Sequence, residues 1–324
     1  MKKLLFTLVA SAFAIANANA QDSFATFAAL EHNGNITTFT GGQALQEAVA
    51  AADDGDVITL SAGEFKMAES LWLTKSLTLR GAGMDIHTNK MVTRLSGSSI
   101  YIDYLFPEKT YAFEGLDIDT YISVGGADDI PSGSLTINKC VVSGLSTSAR
   151  DVLVTDSKIC MGSYTYGASV RCHNSVLCDF YSTSSSNDSP ATYTSCIAIC
   201  CGLGTYENCV CAKMYYPTTY YLFTNYITKE CIYIRNGEDF SASPTNENTT
   251  FVDSWTDVFG FEFDYDNPNI RTEFVRSNNF VPKITMCNAY TYSPTLNLPT
   301  IKNLTVAKES TADGKLSIDV EIED

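Results

Sequence analysis

Histidine is nearly missing from this chain, occurring only at positions 32, 87 and 173, and positive charge is scarce, with 21 Lys and Arg against 37 Asp and Glu. The first shortage leaves few ways to build imidazole chemistry. The second gives a formal net charge of −16, which disfavours nucleic acid and anionic membranes as partners. An anionic polysaccharide is disfavoured too, unless Ca²⁺ bridges the two surfaces or a local basic groove exists. Beyond residue 20 no apolar run approaches the length of a membrane span, so no membrane insertion is expected. Paired zinc knuckles are also absent: Cys209-x-Cys211 and Cys172-x5-Cys178 have the wrong spacing, and His173 is a lone imidazole between them.

The first twenty residues hold Lys2-Lys3, an apolar run over 4–15 and Ala18-Asn19-Ala20, an A-x-A cleavage pattern. This predicts a secretory signal peptide and an exported protein, periplasmic, cell-surface or extracellular. No Cys follows the cleavage point, so a lipid anchor is not expected.

Residues 43–83, QALQEAVAAADDGDVITLSAGEFKMAESLWLTKSLTLRGAG, carry most of the fold information. Leu45, Val49 and Ala52 recur at helical spacing and give one apolar side. Asp53-Asp54-Gly55-Asp56 ends that helix with turn chemistry. Short β-rich runs follow at 57–60, 71–73 and 77–79, with Gly-containing corners at 62–63 and 81–83. Helix, turn, strand, corner and strand describe a capped solenoid, so the expectation is all-β: a right-handed parallel β-helix with a short N-terminal capping helix. Ala48, Ala52, Gly55-Asp56, Ile58, Leu60, Gly63, Phe65 and the later Leu77-Thr78-Leu79-Arg80-Gly81 carry a resemblance. This stretch resembles the N-terminal cap and opening coils of the secreted pectate-lyase-like superfamily, most closely the chondroitinase B and alginate lyase type. The resemblance covers roughly an eighth of the chain and implies the fold's entrance; the same cap tops lyases, hydrolases and non-catalytic members.

A polar residue followed by Ser or Cys recurs through the middle: Lys139-Cys140, Asp156-Ser157, Asn174-Ser175, Ser195-Cys196, Asn208-Cys209, Glu230-Cys231 and Asp253-Ser254. The steps are 17, 18, 21, 13, 22 and 23 residues. Periods near 20 with variable insertions suit coils that keep their strands and vary their corners. The 13-residue step is short for a coil, which marks one of its two flanking pairs as misaligned. Ten of eleven cysteines fall between Cys140 and Cys231. Because the repeat exchanges Cys with Ser, a reduced interior ladder is expected in preference to disulfides; Cys200-Cys201 are the exception to a simple stack.

Candidate chemistry is sparse. Lys158, Arg171 and His173 lie on adjacent coils and form the one basic group suited to abstracting a proton beside a uronate carboxylate; ordinary outward side chains of alternating strands are the plainer alternative. Asp117-Ile118-Asp119 puts two carboxylates on one side of a strand, a possible Ca²⁺ pair or a charged outer face. Glu262, Asp264 and Asp266 repeat that spacing. The polygalacturonase-type signature is absent, since Asp128-Asp129 is not followed by Gly-His-Gly. Aromatics in corner segments, Tyr164, Tyr166, Tyr181, Tyr215, Tyr216, Tyr220 and Tyr221, are suited to stacking on sugar faces, or serve as corner packing.

The chain therefore divides into a signal peptide (1–20), a lead-in (21–42), the β-helix with its cap (43–263), an irregular wrapping segment (264–299) and a C-terminal hairpin (300–324) signalled by Thr311-Ala312-Asp313-Gly314 between alternating strands. That hairpin is expected to close the solenoid or to serve as a docking tail. Three functions stay open: binding of extracellular polysaccharide without catalysis, a lyase acting on a uronate glycan by β-elimination, and a surface scaffold or adhesin with a protein partner.

Overall fold

The computed structural model describes residues 26–84, 92–102, 109–125, 133–164, 169–182, 191–199, 202, 204–212, 226–234 and 245–254, and the backbone of Thr300–Val306 and Ile318–Glu323. It is a right-handed parallel β-helix in which 25 strands join one continuous sheet. Three columns of stacked strands make its sides. The first runs from Asp56–Leu60 through Leu77–Gly83, the start of Thr110–Val124, Ser134–Asn138, Asp151–Thr155 and Ser169–His173 to Thr245–Glu247. The second starts at Gly63–Met67 and Thr93–Gly97 and ends at Thr250–Val252. Among the described residues the third is shorter. It comprises Leu71–Leu73, Ile100–Ile102, 121–124, 144–147, Gly162–Tyr164 and Phe180–Ser182.

Strand alternation sets the core. Val152 and Val154 are buried while Asp151 is exposed, and Val170 and Cys172 are buried between exposed Ser169, Arg171 and His173. Inward residues stack in register from coil to coil, as in Ile58, Leu79, Phe113 and Ile137. Tyr193 and Tyr206 continue that stack with ring centroids 4.4 Å apart and planes 10° from parallel. The second column differs: Val176–Cys178, Ile197–Ile199, Val210–Ala212 and Ile232–Ile234 are buried on both faces, and their unbroken apolar triplets carry that pattern.

The entrance is capped by two devices. The helix Ala44–Ala51 buries Ala44, Leu45 and Ala48 against the opening strands, its side chains small enough for close approach. The lead-in is itself structured. Phe27–His32 and Asn35–Thr40 form an antiparallel hairpin, and Phe27–His32 also pairs antiparallel with Asp56–Leu60, covering the edge of the first coil. Its turn is Asn33-Gly34, with φ of 49° and 77°, the residue pair favoured where both central positions need positive φ. His32 Nδ1 donates to Asp56 Oδ1 at 2.9 Å and fastens the hairpin to the first strand. Near the C-terminus of the chain Thr300–Val306 and Ile318–Glu323 pair antiparallel with each other, as the alternation of Ile318, Val320 and Ile322 predicts. Among the described residues no helix is long and apolar enough to cross a membrane.

The polar–small repeat turns out to be the corner between the first and second columns. Lys139, Asp156, Asn174, Ser195, Asn208 and Glu230 all have φ between 46° and 53°. The next residue, Ser or Cys, is buried. Its backbone N–H donates to the side chain one coil on: Cys140 to Ser157 Oγ at 3.0 Å, Ser157 to Ser175 Oγ at 3.2 Å, Cys196 to Cys209 Sγ at 3.3 Å and Cys209 to Cys231 Sγ at 3.4 Å. Each hydroxyl or thiol donates to the carbonyl two residues before it, as Ser175 does to His173 at 2.8 Å and Cys231 to Lys229 at 3.2 Å. Cys and Ser exchange here because both are small donor-acceptors.

Two sequence expectations are corrected by this geometry. The 13-residue step is a real coil, since Ser195 and Asn208 share the same left-handed backbone and Asn208 Nδ2 donates to Ser195 Oγ at 3.2 Å. It is short because only 200–203 lie between Ile197–Ile199 and Gly204–Glu207. The last repeat is Asn248-Thr249, with φ of 52° at Asn248, and not Asp253-Ser254; threonine takes the small-residue position there. The cysteines at 140, 160, 172, 178, 196, 209, 211 and 231 form no disulfide, in line with a reduced ladder; Cys200, Cys201 and Cys287 lie outside the described residues.

Candidate functional site

Arg171 and His173 sit two apart on Ser169–His173, exposed on the outer side of the first column. Arg171 is in register with Leu153 and Thr192, and His173 with Thr155 and Thr194. Lys158 is elsewhere. It lies on the second column between Val141 and Val176 and is 1% exposed. The corner at Asp156-Ser157 carries the chain from one side of the solenoid to the next between these groups. The structure thus brings Arg171 and His173 together and places Lys158 on a different side. A base and the cation that steadies the resulting enolate must face one substrate.

Asp117 and Asp119 lie on Thr110–Val124, the first buried and the second about a third exposed. Arg94, in register with Asp117 on the preceding coil, donates Nη2 to Asp119 Oδ2. Ser143 Oγ donates to Asp119 Oδ1 at 3.1 Å. Burial opposes the charge on Arg94, but the Asp119 hydrogen bond and the fields of Asp117, Asp119 and Glu64 hold its guanidinium above its ordinary pKa. The Arg94 guanidinium therefore offsets one of the two carboxylate charges and is bonded to Asp119. No group of three or more His, Cys, Asp or Glu side chains among the described residues is arranged to hold a metal ion. Residues 262–266 lie outside the described residues.

Two of the ladder thiols, Cys140 and Cys209, are poor nucleophiles. Burial pushes Cys140 up to about 12 and raises Cys209 well above the usual thiol range, so neither supplies thiolate at neutral pH.

The third column presents a different surface. Its outward row reads, in register from coil to coil, Trp72, Tyr101, Ser123, Ser146 and Ser163. Trp72 is 59% exposed, and its ring stacks on Tyr101 with centroids 4.7 Å apart and planes 19° from parallel. Ser163 Oγ donates to Ser146 Oγ at 3.4 Å. Beside this row Tyr121 lies over Gly144, where a Cβ would fall 2.1 Å from the tyrosine ring. Three of the four large apolar side chains exposed among the described residues, Trp72, Tyr121 and Met161, belong to this side.

Of the aromatic candidates read from sequence, Tyr164 and Tyr181 are on third-column strands, in register with Thr147 and Ser163. Tyr166, Tyr215, Tyr216, Tyr220 and Tyr221 lie outside the described residues. Trp72, Tyr101 and Tyr121 were not among the sequence candidates. Their signal is an aromatic between two aliphatics, Leu71-Trp72-Leu73 and Ile100-Tyr101-Ile102, which alternation turns outward.

No protein-family model, curated protein or solved structure matches this chain.

Proposed function

We propose that this chain is an exported β-helix protein that binds extracellular polysaccharide without cleaving it. The observation that carries the reading is the exposed Trp72 ring stacked on the half-buried Tyr101. Solvent-exposed aromatic faces are costly to leave bare and are the surface on which the C–H faces of sugar rings pack. The separation of Lys158 from Arg171 and His173 supports binding over β-elimination. The cap's likeness to pectate-lyase-like proteins and the leader over 1–20 support an extracellular setting.

Retention on a glycan array, measured with and without Ca²⁺ and with ultraviolet absorbance read in the same wells, tests this. Retention without absorbance, and without reducing ends released, is the expected result. Absorbance rising on a uronate polymer would make the protein a lyase and Arg171 and His173 the first residues to replace. Silence in every well would leave a scaffold with a protein partner as the better account.

A further inference from the structure

We infer that the outward row of the third column, Trp72, Tyr101, Ser123, Ser146 and Ser163, is a binding site for a single uncharged glycan chain lying along the solenoid axis. The inference rests on the polysaccharide reading and specifies where the chain lies and what kind it is. Adjacent coils bring successive positions of the row within one strand spacing, so Trp72 to Ser163 extends over about 19 Å. That length takes an oligosaccharide, not one sugar. The chemistry changes along it: at one end two aromatic rings, each covering one face of the other, leave their outer edges as apolar surface for a sugar to pack on, and three hydroxyls beyond them offer donors and acceptors. Tyr121, packed beside Gly144, adds a third ring on one flank.

Charge decides the class of glycan. Every residue in the row is uncharged, on a protein of net charge −16. The outer side of the first column, by contrast, carries Arg80–Glu114 at 2.7 Å and Lys229–Glu247 at 3.9 Å, with Arg171 and His173 between. A uronate or sulfated chain would meet no cation in this row and would be repelled by the net charge of the molecule. A neutral chain meets neither penalty.

The test uses the full mature chain with Trp255 replaced by Phe, which leaves Trp72 as the only tryptophan. Cellohexaose, xylohexaose and mannohexaose serve as neutral probes, and polygalacturonate and chondroitin sulfate as anionic ones, alongside the glycan array. The expected result is a shift in Trp72 emission with at least one neutral probe and retention on neutral polymers that drops about tenfold or more in Trp72→Ala and in Tyr101→Ala. Arg171→Ala leaves that retention unchanged. Trp72 is exposed and Tyr101 half-buried, and circular dichroism checks that each variant is folded. Array retention that survives Trp72→Ala and Tyr101→Ala, or that is confined to anionic polymers and lost in Arg171→Ala, overturns this site while the binding reading stands. Absence of retention anywhere overturns both. Self-association measured by sedimentation and lost in Trp72→Ala, without glycan retention, would show that the row meets a second copy of the chain.

Discussion

At the scale of single residues, the corner between the first two columns repeats one small stereochemical problem. A residue must take left-handed backbone and its successor must be small, buried and able to donate and accept. Cys140 shows what the buried thiol adds. Its raised folded-state pKa means that the unfolded chain loses the proton first as pH rises. Stability from this group is therefore whole below the ordinary thiol range and is lost as pH climbs toward about 12, by at most about 1.4 kcal/mol per pH unit. Cys140→Ser keeps the ladder bonds seen at Ser157 and Ser175, so urea melts of the two proteins are expected to agree near pH 7 and to diverge above pH ~9 in favour of the serine variant. Gly162 tests packing instead. A Cβ there would sit 1.9 Å from Cδ2 of the Phe180 ring on the next coil, so Gly162→Ala should lower unfolding free energy by about 1–3 kcal/mol.

At the scale of elements, the sequence made some pieces legible and concealed others for physical reasons. The helix Ala44–Ala51 and the strands after it follow from local period and turn chemistry, and were readable. The hairpin before the helix was passed over as a lead-in although Asn33-Gly34 carries its signal, because Asn35–Thr40 is mostly exposed and lacks an apolar stripe. Gly34→Val is expected to cost about 1–2 kcal/mol by forcing a branched residue into φ near 77°. It should also loosen the cover on Asp56–Leu60, seen as a lower Tm and as light scattering on warming. The same-side placement of Arg171 and His173 needed only the two-residue period of a strand. Excluding Lys158 from them required knowing that Asp156-Ser157 is a corner, which is a fact about φ and not about composition. Recognising Trp72 and Tyr101 as neighbours required the register of two strands in different coils, and register across a variable loop is not written in either strand alone.

For the whole molecule, an elongated acidic body concentrates like charge along its sides. The described ion pairs, such as Lys109–Asp54 at 2.5 Å and Arg80–Glu114, bring some opposite charges together, but a net −16 remains after every Lys and Arg is counted. Raising NaCl from 10 to 150 mM shortens the screening length from about 30 Å to about 8 Å, so thermal unfolding is expected at higher temperature in the saltier buffer. An unchanged or lower Tm would mean that the ion pairs outweigh the repulsion.

The short coil at 196–209 has a consequence for size. Among the described residues the third column ends at Phe180–Ser182, whereas the first and second columns run on to Thr245–Glu247 and Thr250–Val252. The outward row of that column is thus a ruler with a fixed number of graduations, one per full-length coil. Lengthening it requires no new surface design, only another copy of a unit such as 141–157, which would move the two ends apart by one strand spacing, about 4.8 Å. Selection acting on coil number would change reach in whole steps, never by degrees.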